Sequence, residues 1–396
     1  MNAEPAAPTA PRPTPPPHPS PLAASKLGRL ASEALAASQS LWKLDREWPA
    51  AALQGKAARW RSTRVRWLRH TVQLLFACLV LAIGVEFVRW VRGLEAGQLV
   101  GQRPPGVEGF LPLSGLMSLR HLWHSGEIHS VHPAALVLLL LFVGMSLAVK
   151  KSFCSWVCPV GGVSEMLATL SKRLFRRRIA LPRWLDLPLR SLKYLLLAFF
   201  VWAIFVRMSA PLIASFLDSP YNRVADVKML YFFERLSPLA GKVLLGLVAV
   251  SVVIPYAWCR YLCPYGALLG ITSLLAPGKI VRHVPSCIDC GRCAKACPAR
   301  LPVDQLSRVR SDECVGCLSC VADCPVPRAL RVETPGWWGR LARPLRPAVA
   351  AALLVGLFLG GVAAARLSGH WRSSVPDAEV MQRIHSLDGP EYDHLR

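Results

Sequence analysis

The chain has 396 residues, 53% of them hydrophobic, 13 of them Cys, with 47 Lys+Arg against 24 Asp+Glu and a formal net charge of +23. Such an apolar content excludes a disordered chain, and its concentration in blocks of membrane-spanning length excludes an ordinary soluble one. The positive charge flanks those blocks, so it reads as membrane topology rather than nucleic-acid binding, and the short Cys spacings read as metal ligation in a reducing compartment rather than disulfides.

Residues 1–25 form a Pro- and Ala-rich tail with nine prolines among the first 21 residues, a flexible or polyproline-like segment. No apolar core follows a short basic start, so a secretory signal peptide is not expected. Residues 26–69 turn basic and carry Trp42, Trp48, Trp60 and Trp67; either a helix lying along the bilayer surface or a solvated basic helix fits. Five apolar blocks follow near 70–91, 133–150, 192–208, 241–258 and 347–366, each about the 17–25 residues that cross hydrocarbon as a helix.

Lys+Arg number 11 in 1–70, 2 in 93–132, 10 in 150–193, 3 in 209–241, 13 in 259–346 and 4 in 366–396. This alternation predicts a cytoplasmic N-terminus and an external C-terminus in a bacterial inner membrane, with every motif cysteine on the cytoplasmic side. Arg176-Arg177-Arg178 reads as a topology anchor touching lipid. Trp337-Trp338 with Arg340, Arg343 and Arg346 reads as an interfacial belt before the fifth block.

An internal repeat lies within the apolar part. Cys154-Ser-Trp-Val-Cys158-Pro159-Val-Gly161 follows the second block, and Cys259-Arg-Tyr-Leu-Cys263-Pro264-Tyr-Gly266 follows the fourth, 105 residues later. Two helical hairpins each ending in C-x3-C-P-x-G indicate a duplicated unit. On a helix, positions i and i+4 share a face, so each pair can bind one metal or oxidise together. At one depth Cys154, Cys158, Cys259 and Cys263 form a joint four-thiol site suited to a third iron–sulfur cluster, to copper, or to a redox-active dithiol.

The strongest signal is Cys287-x2-Cys290-x2-Cys293-x3-Cys297-Pro298, repeated as Cys314-x2-Cys317-x2-Cys320-x3-Cys324-Pro325. This is the bacterial two-cluster ferredoxin pattern, in which the fourth Cys of each run ligates the other cluster. It predicts one 4Fe–4S cluster on Cys287, Cys290, Cys293 and Cys324, and a second on Cys314, Cys317, Cys320 and Cys297. Gly291 and Gly316 leave room for backbone amides to approach sulfide.

With these motifs the chain resembles the membrane-bound polyferredoxins of the NapH/NosR type, related to the CcoG (FixG-like) proteins, over residues 70–335. The resemblance implies an electron conduit between the quinol pool or a cytoplasmic donor and a membrane or periplasmic redox partner. NosR-type members carry a periplasmic flavin domain before the membrane part and CcoG-type members an immunoglobulin-like domain after it. Neither is visible here, so nitrous-oxide-specific and oxidase-assembly roles are not expected.

Further residues carry alternatives. His121, His124, His129 and His132 lie within twelve residues and can bind haem or copper or accept quinol protons; as ordinary loop histidines they need no such role, and His132-Pro133 reads as a helix start. Glu86 and Arg207 are predicted to face each other or a quinol pocket, or else to snorkel. Cys78 reads as a buried structural cysteine.

The expected fold is mainly α: a polytopic helical membrane protein of about five spans with an inserted α+β ferredoxin domain. The expected domains are a Pro-rich then basic region 1–69, a four-helix membrane part 70–275, a double 4Fe–4S ferredoxin domain 276–335, and a fifth helix with a short periplasmic tail 336–396. No dinucleotide, phosphate-loop or nucleophile-elbow motif occurs. One-electron transfer is the expected function, with copper reduction for assembly, or redox sensing, as the alternatives.

Overall fold

The computed structural model describes residues 56–175, 181–326, 329–333, 347–387 and 389, all within the compact unit Leu53–Arg396. The Pro-rich tail, Trp42, Trp48, Arg176-Arg177-Arg178, Trp337-Trp338, Arg340, Arg343 and Arg346 lie outside the described residues, as does the side chain of Trp60.

The basic approach and the first apolar block form one helix, α1 (Lys56–Glu95), of 40 residues, or about 60 Å at 1.5 Å per residue. Val72, Phe76, Phe87, Trp90, Val91 and Leu94 are buried on one side, while Leu74, Leu75, Leu81 and Val85 are exposed. An apolar stripe packed on the bundle with apolar residues on the opposite face suits a lipid-facing helix. Cys78 lies on the exposed face, so the buried structural role does not hold: its helical phase points it away from the Val72–Phe76 stripe.

After α2 (Pro112–Ser125) comes α3 (Pro133–Ala148), with Pro133 in its first turn after His132, as the sequence predicts. It has 16 residues, about 24 Å, and so falls short of the roughly 30 Å hydrocarbon core. Instead it is buried almost all round, through Ala134, Leu136, Leu138, Leu139, Phe142 and Met145. Then follow the short α4 (Ser152–Trp156), α5 (Pro159–Phe175) and α6 (Arg183–Trp202), which runs into a π-helical turn over Ala203–Arg207.

Two short helices, α7 (Ala210–Leu217) and α8 (Pro220–Arg223), precede α9 (Ala225–Glu234). The next helix, α10 (Pro238–Val253), sets off at 82° from α9. Ser237 caps it by accepting from the Ala240 amide, with Pro238 in its first turn, a combination that starts a helix and cannot continue one. A π-helical turn, Trp258–Leu262, leads to α11 (Pro264–Ser273).

The ferredoxin part opens with β1 (Lys279–Arg282) and closes with β2 (Leu330–Glu333), which pair antiparallel with Ile280 opposite Val332. Between them lie α12 (Arg292–Ala296) and α13 (Ser319–Asp323). After it come α14 (Pro347–Leu367) and the short α15 (Asp377–Ile384).

The chain is therefore mainly helical with a small ferredoxin sheet. Against the five apolar blocks of the sequence, three helices among the described residues are long and apolar enough to cross a membrane: Ser62–Glu95, Trp184–Arg207 and Pro347–Leu367. The bent pair α9–α10 supplies a fourth if it counts as one span. One hydrophobic core runs from α3 through Phe153 and Trp156 to Cys293, Leu301 and Val332 of the ferredoxin part. That continuity fixes the ferredoxin loops against the helix ends.

Candidate metal centres

The two C-x-x-C-x-x-C runs share one backbone plan. Two and four residues after the first Cys, φ is positive in both: Asp289 (48°) and Gly291 (65°) in one, Gly316 (59°) and Leu318 (57°) in the other. Only glycine takes this conformation freely. Each copy keeps Gly at one of the two positions and strains an ordinary residue at the other, a cost of order 1–3 kcal/mol that a surrounding structure must hold in place. A short helix then presents the third Cys, and the C-P pair ends it.

The cysteines gather crosswise. Cys287, Cys290, Cys293 and Cys324 line one concavity of about 350 Å³, together with Arg282 and Asp304. Cys297, Cys314, Cys317 and Cys320 line a second of about 310 Å³. The fourth Cys of each run thus joins the other run's three. The two groups differ in exposure: Cys290 is exposed and Cys287 and Cys324 are half-buried, whereas Cys297, Cys314, Cys317 and Cys320 are all buried. Burial pushes the Cys297 thiol up to about 12 and Cys324 up to about 11. Such groups become thiolates when a metal centre displaces their protons. Four soft donors around each concavity, with amide-presenting left-handed turns, fit a 4Fe–4S cluster in each.

The C-x3-C-P pairs are built differently from the i, i+4 helical pairs expected of them. Cys154 sits on α4, which ends at Trp156, and Cys158 directly precedes α5. Cys259 sits on the π-turn, and Cys263 is the N-cap of α11, its Sγ accepting from the Gly266 amide at 3.3 Å. The helix breaks between the two thiols because Pro159 and Pro264 lack an N–H and cannot extend a preceding helix, yet suit the first position of the next. The Gly two residues after each Pro serves the same fold. A Cβ at Gly161 would collide with the Cys154 carbonyl oxygen, whereas at Gly266 it would lie 3.6 Å from that of Cys259.

The two pairs do meet. Ser164 of α5 lies 3.4 Å from Cys259 Sγ, so the helix that follows the first motif touches the second. Burial pushes the Cys154 thiol well up and Cys158 up to about 12. Among the described residues no group of three or more His, Cys, Asp or Glu converges to hold a single metal ion.

Both motifs are docked on walls of the second concavity. From the first motif, Ser155 Oγ donates to the Val315 carbonyl at 2.6 Å and Trp156 Nε1 to Gly316 at 3.1 Å. From the second, Arg260 Nη1 donates to the Ala299 carbonyl at 3.1 Å, while its Nε and Nη2 hold Asp186 at 2.9 Å each. Lys150 and Lys151 precede the first motif and are 1% and 3% exposed; Lys193 and Glu313, 0% and 8% exposed, join them. Sequence reasoning counted these lysines as topology charges. Lysines after an apolar helix carry that signal whether they end in water or inside the protein, so only the packing reveals them.

The histidines lie apart from the cysteines. His132 is fully buried, 2.5 Å from the Asn222 carbonyl and 3.4 Å from Glu108 Oε1. His121 and His129 rings are 5.1 Å apart, and His129 lies 3.5 Å from Asp218. His124 is exposed and contacts Arg120. Among the described residues Glu86 and Arg207 form no ion pair: both are exposed, and the Arg207 guanidinium lies over the Trp202 ring, 5.7 Å from its centre.

Two cysteine-lined concavities joined through one core to helices of membrane-spanning length define a membrane-bound ferredoxin-type electron-transport protein. The model of a 4Fe-4S binding domain matches residues 131–178 and 238–283, covering both C-x3-C-P motifs, and that of a 4Fe-4S dicluster domain matches residues 279–325. The chain is 45% identical over 329 residues, 82% of its length and 91% of the relative's, to YccM of Escherichia coli (strain K12), a protein named provisionally for electron transport. It is 29% identical to the ferredoxin-type protein NapH of the same organism, over 67% of this chain and 88% of NapH. It is 24% identical to the regulatory protein NosR of Pseudomonas aeruginosa, over 69% of this chain and 40% of NosR. No solved structure matches. The chain belongs to the NapH/NosR-type family of membrane polyferredoxins and carries iron–sulfur clusters, exchanging electrons with redox partners.

Proposed function

We propose that the protein passes single electrons between a partner docking on the exposed ferredoxin face and a quinol or other redox partner on the membrane side. In this reading Cys287, Cys290, Cys293 and Cys324 hold one 4Fe–4S cluster, and Cys314, Cys317, Cys320 and Cys297 hold the other. Cys154, Cys158, Cys259 and Cys263 hold a third iron–sulfur centre. Such clusters supply one-electron chemistry at potentials tuned by charge, hydrogen bonds and exposure.

The observation that carries the reading is the docking of both C-x3-C-P loops on the Val315–Gly316 and Ala299 walls of the buried concavity. Ordered by exposure, Cys290 offers a surface port, the Cys314 group an interior position, and the four-thiol site a position beside the helix ends. The high–low alternation of Lys and Arg supports an inner membrane with the ferredoxin part on the cytoplasmic side. A quinol as membrane-side donor is what the family resemblance implies, and His132 beside Glu108 at 3.4 Å is the residue pair to test for it.

Anaerobic purification with iron and sulfide analysis, followed by EPR before and after a quinol analogue, tests this reading. About twelve irons per chain is the expected result for three cubanes, with signals that the quinol reduces. About eight irons overturns the third centre, and signals that answer to dithionite alone overturn the quinol.

A further inference from the structure

Four polar residues share one face of the membrane-length helix α6. Asp186, Arg190, Lys193 and Tyr194 stand at i, i+4, i+7 and i+8, the spacing of a single helical stripe. The opposite face carries Trp184, Leu195, Phe199 and Trp202, all exposed. Charges on such a helix are costly in hydrocarbon unless they turn into the protein. Here the stripe turns inward, and it grips two separate parts of the molecule.

The first part is the second C-x3-C-P motif. The Asp186 carboxylate accepts from Arg260 Nε and Nη2 at 2.9 Å each, from Tyr261 Oη at 2.6 Å, and from Arg190. Arg260 and Tyr261 are the two residues that follow Cys259, so one carboxylate holds the turn between Cys259 and Cys263. The second part is the ferredoxin loop that leads into Cys314. Lys193 Nζ donates to Glu313 Oε1 at 2.5 Å, and Tyr194 Oη donates to Asp312. Lys193, Arg260 and Glu313 are buried, and a two-pronged Arg–carboxylate pair is geometrically strict. Asp186 and Lys193 are seven residues apart, about 10.5 Å along a helix axis. In the first motif the corresponding residues, Ser155 and Trp156, bind ferredoxin carbonyls themselves. In the second only Arg260 does so, through Ala299, while Tyr261 turns to α6.

We propose that α6 is the strut that fixes the separation of the four-thiol site from the Cys314 group, with Asp186 and Tyr194 as positioning residues at its two ends. Electron exchange between two centres slows steeply as they move apart. One rigid helix holding a ligand loop of each therefore sets the rate at which an electron leaves one and enters the other. The proposal rests on the reading that the four thiols hold an iron–sulfur centre.

EPR of the whole detergent-solubilised protein, freeze-quenched after partial reduction, tests it through two readouts: the magnetic coupling between centres and the rate of electron exchange. Tyr194→Phe removes one hydroxyl and no charge. At full iron content it should weaken the coupling between the four-thiol centre and the Cys314 cluster and slow their exchange severalfold. The coupling between the two ferredoxin clusters should stay as it is. Asp186→Asn should act in the same way and more strongly. Arg260→Lys should match Asp186→Asn although the charge is kept, because an ammonium lacks the planar fork that holds Asp186 and the Ala299 carbonyl together. The proposal is overturned if exchange is unchanged in Tyr194→Phe or in Asp186→Asn at full iron content. It is equally overturned if the coupling between the ferredoxin clusters changes as much, or if Arg260→Lys behaves as the unmodified protein. Should Asp186→Asn lose iron, Tyr194→Phe decides alone. Iron in the unmodified protein separates the two ideas: about eight atoms per chain removes the third centre itself, whereas about twelve with unchanged exchange in the variants removes only the role of α6.

Discussion

The indole Nε1 of Trp156 donates to the carbonyl oxygen of Gly316 across 3.1 Å, joining the first C-x3-C-P motif to the loop between Cys314 and Cys317. Trp156 is 1% exposed, so the carbonyl it satisfies has no water to fall back on. Gly316 itself is required: its φ is 59°, and a Cβ there would lie 2.9 Å from the Val149 carbonyl oxygen. Trp156→Phe keeps the ring but removes the donor, and an unpaired buried carbonyl costs about 1–3 kcal/mol. The variant should keep its iron and unfold at a lower temperature. Equal melting of variant and unmodified protein would show that the bond contributes nothing.

The crosswise gathering of cysteines makes a pattern of losses that local ligation cannot imitate. Cys324→Ser should abolish the same EPR signal as Cys290→Ser, although the two residues belong to different runs, because both line one concavity. Cys297→Ser should pair with Cys317→Ser for the same reason. If Cys324→Ser instead removes the signal lost in Cys317→Ser, each run binds its own cluster and the crosswise assignment fails.

Much of this arrangement was readable from spacing. The C-x2-C-x2-C-x3-C-P runs suggest which cysteines fall together, since the third Cys opens a short helix that the fourth Cys ends, where the following Pro turns the chain away. The helix start at Pro133 and the last apolar helix, Pro347–Leu367, likewise follow from local chemistry. Three features were not readable. Hydrophobicity cannot distinguish α1, long enough to cross a membrane and apolar on its exposed face, from the protein-buried α3, because both are apolar. The i, i+4 reading of the C-x3-C-P pairs ignored the proline that breaks the helix. The burial of Lys150, Lys151 and Lys193 depends on Glu313 and on carbonyls more than a hundred residues away in the chain.

Exposure separates the two ferredoxin concavities, and oxidants should report it. Cys290 is exposed and Cys287 and Cys324 are half-buried, while all four cysteines of the other group are buried. Susceptibility of thiolates to oxidation follows their access to solvent. On brief exposure to air, the signal lost in Cys290→Ser should decay first, and the one lost in Cys317→Ser should persist. Equal decay rates would contradict the placement of the Cys290 group as the surface port.

The final contrast concerns the glycines of the two C-x3-C-P-x-G motifs, which are alike in sequence and unlike in space. At Gly161 a Cβ would overlap the Cys154 carbonyl oxygen, and neither partner can yield: one is backbone of α4 and the other the first turn of α5. At Gly266 the nearest atoms, the Cys259 carbonyl oxygen and Cys263 Sγ, would both be 3.6 Å away, ordinary contact distance. Gly161→Ala should therefore push α4 from α5 and part Cys154 from Cys158, lowering iron by about four atoms per chain while both ferredoxin signals remain. Gly266→Ala should retain full iron, since alanine is also the better helix former at that position. Equal iron in the two variants would mean that the close approach of Cys154 to α5 is not what shapes the four-thiol site.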